Sequence, residues 1–112
     1  MTIKRVLVAN RGEIAVRILK TLQELGLHSV AMYSEADRES LFVKYADEAF
    51  FLPNSYLDQE TIVSKAKEFN VDAIHPGYGF LSENPSFCEM VQKSNIEWIG
   101  PNAETILLMG DK

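Results

Sequence analysis

The sequence contains little cysteine and little histidine, and this scarcity argues against two kinds of site. A single cysteine, Cys88, has no partner for an internal disulfide. We expect Cys88 to be a small core hydrophobe rather than a reactive thiol, because a helical pattern places it three residues before Val91. The two histidines, His28 and His75, lie far apart without ligand-like neighbours. The sequence therefore predicts no metal site in these 112 residues.

Basic clusters and long apolar runs are also absent. The chain carries 11 basic and 16 acidic residues, with a net charge of −5 and no basic run. Nucleic acid is therefore not expected as a partner. No apolar stretch reaches the length that crosses a bilayer, and the few residues before the first predicted strand leave no room for a signal peptide. These features predict a cytoplasmic protein with no membrane contact.

Apolar segments alternate along the chain with helical patterns. With 46% hydrophobic residues among 112, the composition supports one domain with a packed core. Short strands that alternate with helices favour a parallel sheet with helices on both faces. The predicted strands are residues 5–10, 29–33, 48–52, 72–75 and 97–99, and the predicted helices are residues 13–25, one or two turns in 41–46, 58–70, 85–93 and 103–109.

The first predicted helix has an apolar stripe and a charged stripe. The apolar positions follow helical spacing and should face the core. The opposite stripe includes Arg17, Lys20 and Glu24, and such a stripe is usually a solvated face. The apolar positions are Ala15, Ile18, Leu19, Leu22 and Leu25.

Polar residues and glycine mark the predicted helix ends. Gly26 is expected to stop the first helix, since glycine adopts the left-handed conformation that follows many helices. Asp58 is expected to cap the third helix and Asn84 the fourth, where Pro85 can occupy the first helical position. Asn70 and Asn95 are the predicted ends of these two helices.

Five strands joined by right-handed crossovers predict a Rossmann-like open sheet with the order 3-2-1-4-5. The first and fourth strands are then neighbours, so the loops at residues 9–13 and 76–84 meet at the switch point where open α/β sheets bind ligands. The second loop carries Gly77 and Gly79 on either side of Tyr78, and glycine permits close approach of the backbone. A tight turn without a binding role, in which glycine serves only the backbone conformation, would show the same sequence pattern. The convergence of two loops favours a binding role.

The predicted crevice lacks the sequence patterns that are typical of common cofactor-binding sites. The first loop has one glycine, Gly12, instead of a dinucleotide fingerprint, and Glu13 would compete with a phosphate for the helix amides. A loop acid, Glu35 or Asp37, occupies the region of a ribose-binding acid, which is a weak signal. The sequence has no P-loop, no nucleophile elbow and too few carboxylates for a phosphoryl-transfer site. The residues alone indicate a parallel α/β domain whose crevice lacks catalytic machinery of its own.

Five strings of residues occur in order along the chain. They are VANRGEIA at residues 8–15, ADR at 36–38, HPGYGFLSEN at 75–84, IGP at 99–101 and MGDK at 109–112. Together they resemble the N-terminal domain of biotin carboxylase over the whole length of the chain, and the string at 75–84 is highly specific. The resemblance implies a pre-ATP-grasp domain at residues 1–112, with an ATP-grasp region expected after Lys112.

The resemblance also implies an activity and partners. Such an enzyme uses ATP and Mg²⁺ to activate bicarbonate as carboxyphosphate, and it then carboxylates a ureido nitrogen of biotin on a carrier protein. Its partners would be a biotin carboxyl carrier protein or domain and a carboxyltransferase component. The Mg²⁺ ligands and the general base would lie in the ATP-grasp region. We therefore expect no catalytic residue, and no activity, in these 112 residues alone.

Several residue roles follow from the resemblance. Lys112 of the MGDK string would contact the ATP phosphates, since its ammonium is a compact point charge. Tyr78 and Gly79 would line the biotin pocket, the tyrosine by packing on the bicyclic ring and the glycine by permitting close approach. The charged stripe of the first helix would form a homodimer contact instead of a solvated face. That stripe comprises Arg17, Lys20 and Glu24, and the residues expected to be crevice scaffolding are Arg11, Glu13, Glu83 and Asn84.

One departure from the family pattern concerns the link after the third strand. Residues 53–55 form a shorter connection than most family members carry, which should alter a surface edge without touching the crevice strings. Two alternatives from other classes stay open. The chain could be a non-enzymatic nucleotide- or dinucleotide-binding module, or a dimerisation module, of the same Rossmann-like fold.

Overall fold

The computed structural model describes residues 3–100, and strands alternate with helices along this part of the chain. Its longest helix has 13 residues, and no helix between residues 3 and 100 is long and apolar enough to cross a membrane. The predicted helix at residues 103–109 lies outside the described residues. The strands are β1 Arg5–Val8, β2 His28–Tyr33, β3 Glu48–Phe51, β4 Ala73–His75 and β5 Glu97–Trp98, and the helices are α1 Gly12–Glu24, α2 Leu41–Tyr45, α3 Gln59–Glu68 and α4 Pro85–Lys93, with a 3-10 turn at Glu35–Asp37.

The sheet is parallel and its strand order is β3-β2-β1-β4-β5, which confirms the predicted Rossmann-like α/β fold. β1 lies at the centre and pairs with β2 on one side and β4 on the other. The pairs between β1 and β4 are Val6 with Ala73, Leu7 with Ile74 and Val8 with His75. The carboxyl ends of β1 and β4 therefore lie side by side.

Alternate side chains of the central strand enter two separate cores. Val6 and Val8 pack toward α1 and α2, whereas Leu7 packs toward α3 and α4. All three are fully buried, as a central strand of a parallel sheet requires. Cys88 is fully buried in the second core, as expected for a small core side chain. The helices contribute Ala15, Leu19 and Leu22 from α1, Phe42 from α2, Ile62, Val63 and Ala66 from α3, and Phe87 and Val91 from α4.

Helices α1, α3 and α4 end in the same motif. The residue after each helix cap has a positive φ, 73° at Gly26, 55° at Asn70 and 62° at Asn95. Its amide and the next amide bond back to carbonyl oxygens of the last helical turn, which is the Schellman arrangement. Glycine and asparagine tolerate this conformation better than other residues. The three predicted helix ends are thus confirmed.

The predicted N-terminal caps of α3 and α4 are also present. The Asp58 carboxylate accepts a hydrogen bond from the Thr61 amide at 3.3 Å, and the Asn84 side chain accepts one from the Phe87 amide at 3.0 Å. Pro85 occupies the first position of α4, where its missing N–H would have had no helical partner. The cap at Asn84 fixes where the loop after β4 ends.

Several predicted element bounds differ from the structure by one or two residues, and two wrong details have a clear physical reason. Leu25, expected in the core, is the cap residue of α1 and is 67% exposed. Gly26 reverses the chain there, so that Leu27 packs against the core instead. β1 ends at Val8 rather than at residue 10, because Asn10 turns toward the neighbouring loop.

Candidate binding crevice

The loops that follow β1 and β4 meet at the carboxyl edge of the sheet and are joined by Asn10. This side chain is 1% exposed, and its Nδ2 donates to the carbonyl oxygens of Pro76 at 2.8 Å and of Tyr78 at 2.7 Å. Its Oδ1 accepts a hydrogen bond from the Arg11 amide at 2.8 Å. We call these contacts the Asn10 clamp. They confirm that the two predicted crevice loops face each other.

Gly77 lies against the clamp. Its φ is +68°, and a Cβ built on it would lie 2.6 Å from Nδ2 of Asn10 and 3.0 Å from a methyl group of Ile14. Glycine is therefore required at position 77 for two reasons: its φ is positive, and a side chain there would have no space. Gly79 has a similar φ of +70°, but nothing lies within 4 Å of its added Cβ. Of the two glycines that the sequence singles out, only Gly77 is in close contact with another part of the described chain.

Tyr78 stands between these glycines and is 76% exposed. It borders an open hollow between the loop and α1 with a volume of about 290 Å³. His75 lines the same hollow, and burial lowers its pKa. Its Nδ1 accepts a hydrogen bond from the Gly77 amide at 3.1 Å, which leaves the ring proton on Nε2. The remaining lining residues are Ile14, Arg17, Ile18 and Thr21.

An ion pair between half-exposed Arg11 and buried Asp37 lies on the other side of the first loop. Two nitrogens of the Arg11 guanidinium donate to the two oxygens of Asp37, each at 2.6 Å, and Asp37 is only 4% exposed. The Tyr56 hydroxyl also donates to Asp37 and accepts from the Ser34 amide at 3.1 Å. The Arg11 hydrogen bonds lower the pKa of Asp37 from its usual 3.8 to about 2, and burial raises the pKa of Tyr56. The Asp37 carboxylate is therefore engaged by protein groups, which argues against its suggested role as a ribose-binding acid.

Phe80 connects this ion pair to the loop that carries Tyr78. Its φ is +50°, which is uncommon for a bulky side chain, and its ring centroid lies 5.6 Å from that of Tyr56. The Arg11 guanidinium carbon lies 5.9 Å from the same Tyr56 ring. Tyr56 thus contacts both loops of the crevice.

Of the residues expected to be scaffolding, Arg11 and Asn84 hold loop structure, the first in the ion pair and the second as the cap of α4. Glu13 and Glu83 are exposed, so their predicted part in fixing the loops is not evident in the structure.

The charged stripe of α1 is exposed along Arg17, Lys20 and Glu24. Arg17 borders the hollow beside Tyr78, and the Lys20 ammonium lies 5.5 Å from the ring centroid of Tyr45 in α2. The stripe is thus continuous with the crevice at one end. Lys112, the residue expected at the ATP phosphates, lies outside the described residues.

Sequence reasoning missed the roles of Asn10 and Tyr56. Asn10 ends an apolar run, and a polar side chain that follows a buried strand must find hydrogen-bond partners. That signal indicates a buried amide without identifying its partners. Tyr56 offered no local signal, because it lies in an irregular link whose neighbours are distant in sequence.

The described residues contain no group of three or more His, Cys, Asp or Glu side chains that could hold a metal ion. Every buried side-chain nitrogen and oxygen in this part of the chain has a hydrogen-bond partner. The crevice between residues 3 and 100 is therefore a shaped surface with an exposed aromatic ring, and its polar groups serve mainly to hold its loops.

Comparison with known proteins identifies relatives that are similar to this chain over nearly its whole length. A family model described as the biotin carboxylase N-terminal domain matches residues 2–106. Biotin carboxylase 1 of Bacillus subtilis is 52% identical over 115 aligned residues, which cover 98% of this chain and 26% of that protein.

Two solved structures are also similar to this chain over its full length. The biotin carboxylase domain dimer of 2-oxoglutarate carboxylase from Hydrogenobacter thermophilus, crystallised with MgADP, ADP and bicarbonate, superposes with a TM-score of 0.95 at 46% identity, covering 100% of this chain and 26% of that one. The complete multifunctional pyruvate carboxylase from Rhizobium etli superposes with a TM-score of 0.95 at 40% identity, with coverages of 100% and 12%. The chain thus spans about a quarter of the length of the first two proteins and less of the third.

The two glycines beside Tyr78 provide a matched test of the clamp. Gly77→Ala and Gly79→Ala share the strain of a positive φ, but only the first drives a Cβ into Asn10. We expect Gly77→Ala to lower the free energy of unfolding by about 1–3 kcal/mol more than Gly79→Ala, measured by urea denaturation. In an Asn10→Ala background the difference should shrink. Equal effects of the two glycine substitutions in the parent protein would contradict the steric role of the clamp.

The ion pair of Arg11 and buried Asp37 predicts a pH dependence of stability. Because folding lowers the pKa of Asp37 from 3.8 to about 2, its stabilisation is complete above pH 3.8 and is lost as the pH falls toward 2. Asp37→Asn should lower the free energy of unfolding by about 2 kcal/mol near neutral pH. It should also reduce the decrease in the urea unfolding midpoint that the parent protein shows at acid pH. Glu35→Gln is the control, since Glu35 pairs with Arg38 on the surface and should change little. If the urea unfolding midpoint of Asp37→Asn falls at acid pH as much as that of the parent protein, the Asp37 carboxylate does not have this stabilising role.

Proposed function

Because the chain belongs to the family of biotin carboxylase N-terminal domains, we propose that it is the first domain of an enzyme that carboxylates biotin. The reaction would consume ATP and bicarbonate in the presence of Mg²⁺. The solved relative that binds MgADP and bicarbonate supports this choice. The structural observation that carries the proposal is an exposed Tyr78 on a loop fixed at the switch point of the sheet by the Asn10 clamp.

We assign biotin to the surface formed by Tyr78 and Gly79. The Tyr78 ring offers exposed aromatic area against which a bicyclic ring can pack. The space beside Gly79 is open, so a ligand can approach the backbone there. Bound biotin would supply the ureido nitrogen that accepts the carboxyl group. The described residues of the crevice would orient biotin rather than move protons.

The other ligands are assigned to the rest of a longer enzyme. The chain spans about a quarter of the Bacillus subtilis relative, and its described residues provide no cluster of metal ligands. We therefore place the Mg²⁺ ligands, the bicarbonate site and the catalytic groups in an ATP-grasp region after Lys112. Lys112 itself is proposed to contact the ATP phosphates as a compact point charge.

The proposal includes a homodimer and further partners. The exposed stripe of Arg17, Lys20 and Glu24 carries both signs of charge, so two copies related by a twofold axis could pair opposite charges. The relative from Hydrogenobacter thermophilus is a dimer. A biotin carboxyl carrier protein or domain and a carboxyltransferase component are the proposed partners, in line with a relative that is a complete multifunctional pyruvate carboxylase. The cytoplasmic location stays a prediction.

The dinucleotide-binding alternative is less favoured by the geometry. Asp37, one of the two candidates for a ribose contact, is buried and paired with Arg11. Glu35 pairs with Arg38 on the surface. The dimerisation alternative shares the α1 stripe with the proposed enzyme and differs from it by lacking turnover.

Turnover measurements on the full-length protein test the function. We expect ATP hydrolysis that depends on bicarbonate and free biotin, and no turnover from residues 1–112 alone. Tyr78→Ala should raise the KM for free biotin by roughly two- to tenfold, because it removes the aromatic surface. Tyr78→Phe keeps the ring and should retain a KM near the parent value. A folded full-length protein without this turnover would refute the function, and an unchanged KM in Tyr78→Ala would refute the pocket.

Charge reversal tests the dimer. Reversing Arg17 and Glu24 singly, as Arg17→Glu and Glu24→Arg, should place like charges in the interface and weaken dimerisation by roughly tenfold or more. Sedimentation equilibrium of the full-length protein over a range of concentrations would measure this. Lys65→Glu on α3 is the control, since Lys65 is a surface residue paired within its own helix. Dimer affinity that is the same in all variants would exclude the α1 stripe as the interface.

A further inference from the structure

The loop that carries Tyr78 has a conformation that needs support. Gly77, Gly79 and Phe80 all have positive φ, at 68°, 70° and 50°. Glycine adopts this conformation freely, whereas a bulky residue such as Phe80 does so only where its surroundings hold it. The position of Tyr78 therefore depends on what holds the residues on each side of it.

The Asn10 clamp holds the side that precedes and includes Tyr78. Asn10 binds the carbonyl oxygens of Pro76 and Tyr78, and both of these acceptors come before Phe80 in the chain. The clamp acts on the backbone as far as Tyr78. Leu81 is buried in the core, but half-exposed Phe80 needs a second support.

Tyr56 supplies that support. Its ring lies 5.6 Å from the ring of Phe80 at an interplanar angle of 52°, within the range of a favourable aromatic pair. Tyr56 is 9% exposed and Phe80 46% exposed. The buried ring is thus a platform, and the ring of the strained loop residue rests on it.

The platform is itself fixed from several directions. The Tyr56 hydroxyl donates to buried Asp37 and accepts from the Ser34 amide at 3.1 Å. The Arg11 guanidinium lies over its ring and pairs with the same Asp37. Tyr56 therefore has little freedom to move. Its ring contact holds Phe80 at a fixed place relative to the carboxyl edge of the sheet.

We propose that Tyr56 is a positioning residue that sets the place of Tyr78 and Gly79 by supporting Phe80 through ring contact. This inference rests on the proposed function, in which that loop lines the biotin pocket. Tyr56 is not among the residues that line the hollow beside Tyr78. Its contribution should appear in biotin affinity and depend mainly on the ring, which the hydroxyl bonds hold in place.

The test uses the full-length protein with free biotin as the probe. Tyr56→Ala and Phe80→Ala each remove one ring of the pair and should raise the KM for biotin by roughly two- to tenfold, with the KM for ATP unchanged. The double variant should be no worse than either single variant, because both break the same contact. Phe80→Ala is at a half-exposed site, so it tests the contact even if Tyr56→Ala does not fold.

Two further variants separate positioning from stability. Tyr56→Phe keeps the ring contact with Phe80 but loses the bonds that fix the ring to Asp37 and Ser34, so it should lower the melting temperature and raise the KM for biotin less than Tyr56→Ala does. Tyr33→Ala removes a different aromatic pair, Tyr33 with Phe51 at 5.8 Å and 52°, at the β3 edge of the sheet. It should destabilise the protein without changing the KM for biotin.

Each outcome supports or overturns the positioning role. A parent-like KM for biotin in Phe80→Ala, additive effects in the double variant, or a KM in Tyr56→Phe as high as that in Tyr56→Ala would overturn it. ATP hydrolysis that depends on bicarbonate and free biotin, measured on the parent protein at saturating biotin, separates failure of the enzyme function from failure of the positioning role. If that hydrolysis is absent, the proposed function fails. If it is present while the KM values do not move, only the positioning role of Tyr56 fails.

Discussion

The carboxamide of Asn10 is the contact on which the candidate site depends. It is removed from water and uses both of its hydrogens on backbone carbonyl groups of the loop after β4. A buried amide left without partners would cost free energy, so the two loops are held together once the sheet has formed. The same contact leaves no room for a side chain at Gly77. One hydrogen-bonded group thereby determines the backbone on which Tyr78 is exposed.

Much of the fold could be predicted because its signals are local. Apolar runs separated by helical patterns indicate a parallel sheet, and the handedness of crossovers restricts its order. Caps and stops such as Asp58, Asn84, Asn70 and Asn95 act within a few residues of themselves, so a single sequence contains the information. The adjacency of β1 and β4 follows from these elements without knowledge of any side-chain contact.

The rest could not be predicted because its partners are distant in sequence. Asn10 and Pro76 are separated by 66 residues, Arg11 and Asp37 by 26, and Tyr56 and Asp37 by 19. Nothing in the neighbourhood of any one of these residues identifies its partner. The prediction for Leu25 was wrong for a local reason. Its helical spacing is correct, but α1 ends there and the chain reverses at Gly26, so Leu25 does not reach the core.

The central position of β1 has a consequence for synthesis of the chain. β1 borders β2 and β4, so one side of this strand can pair early, while its other side waits for residues 73–75 to leave the ribosome. Until then the nascent chain exposes the open edge of its most buried strand, the condition under which partly folded proteins associate with one another. The candidate crevice is therefore completed, and the open edge of β1 covered, by the same late event, the docking of a three-residue strand.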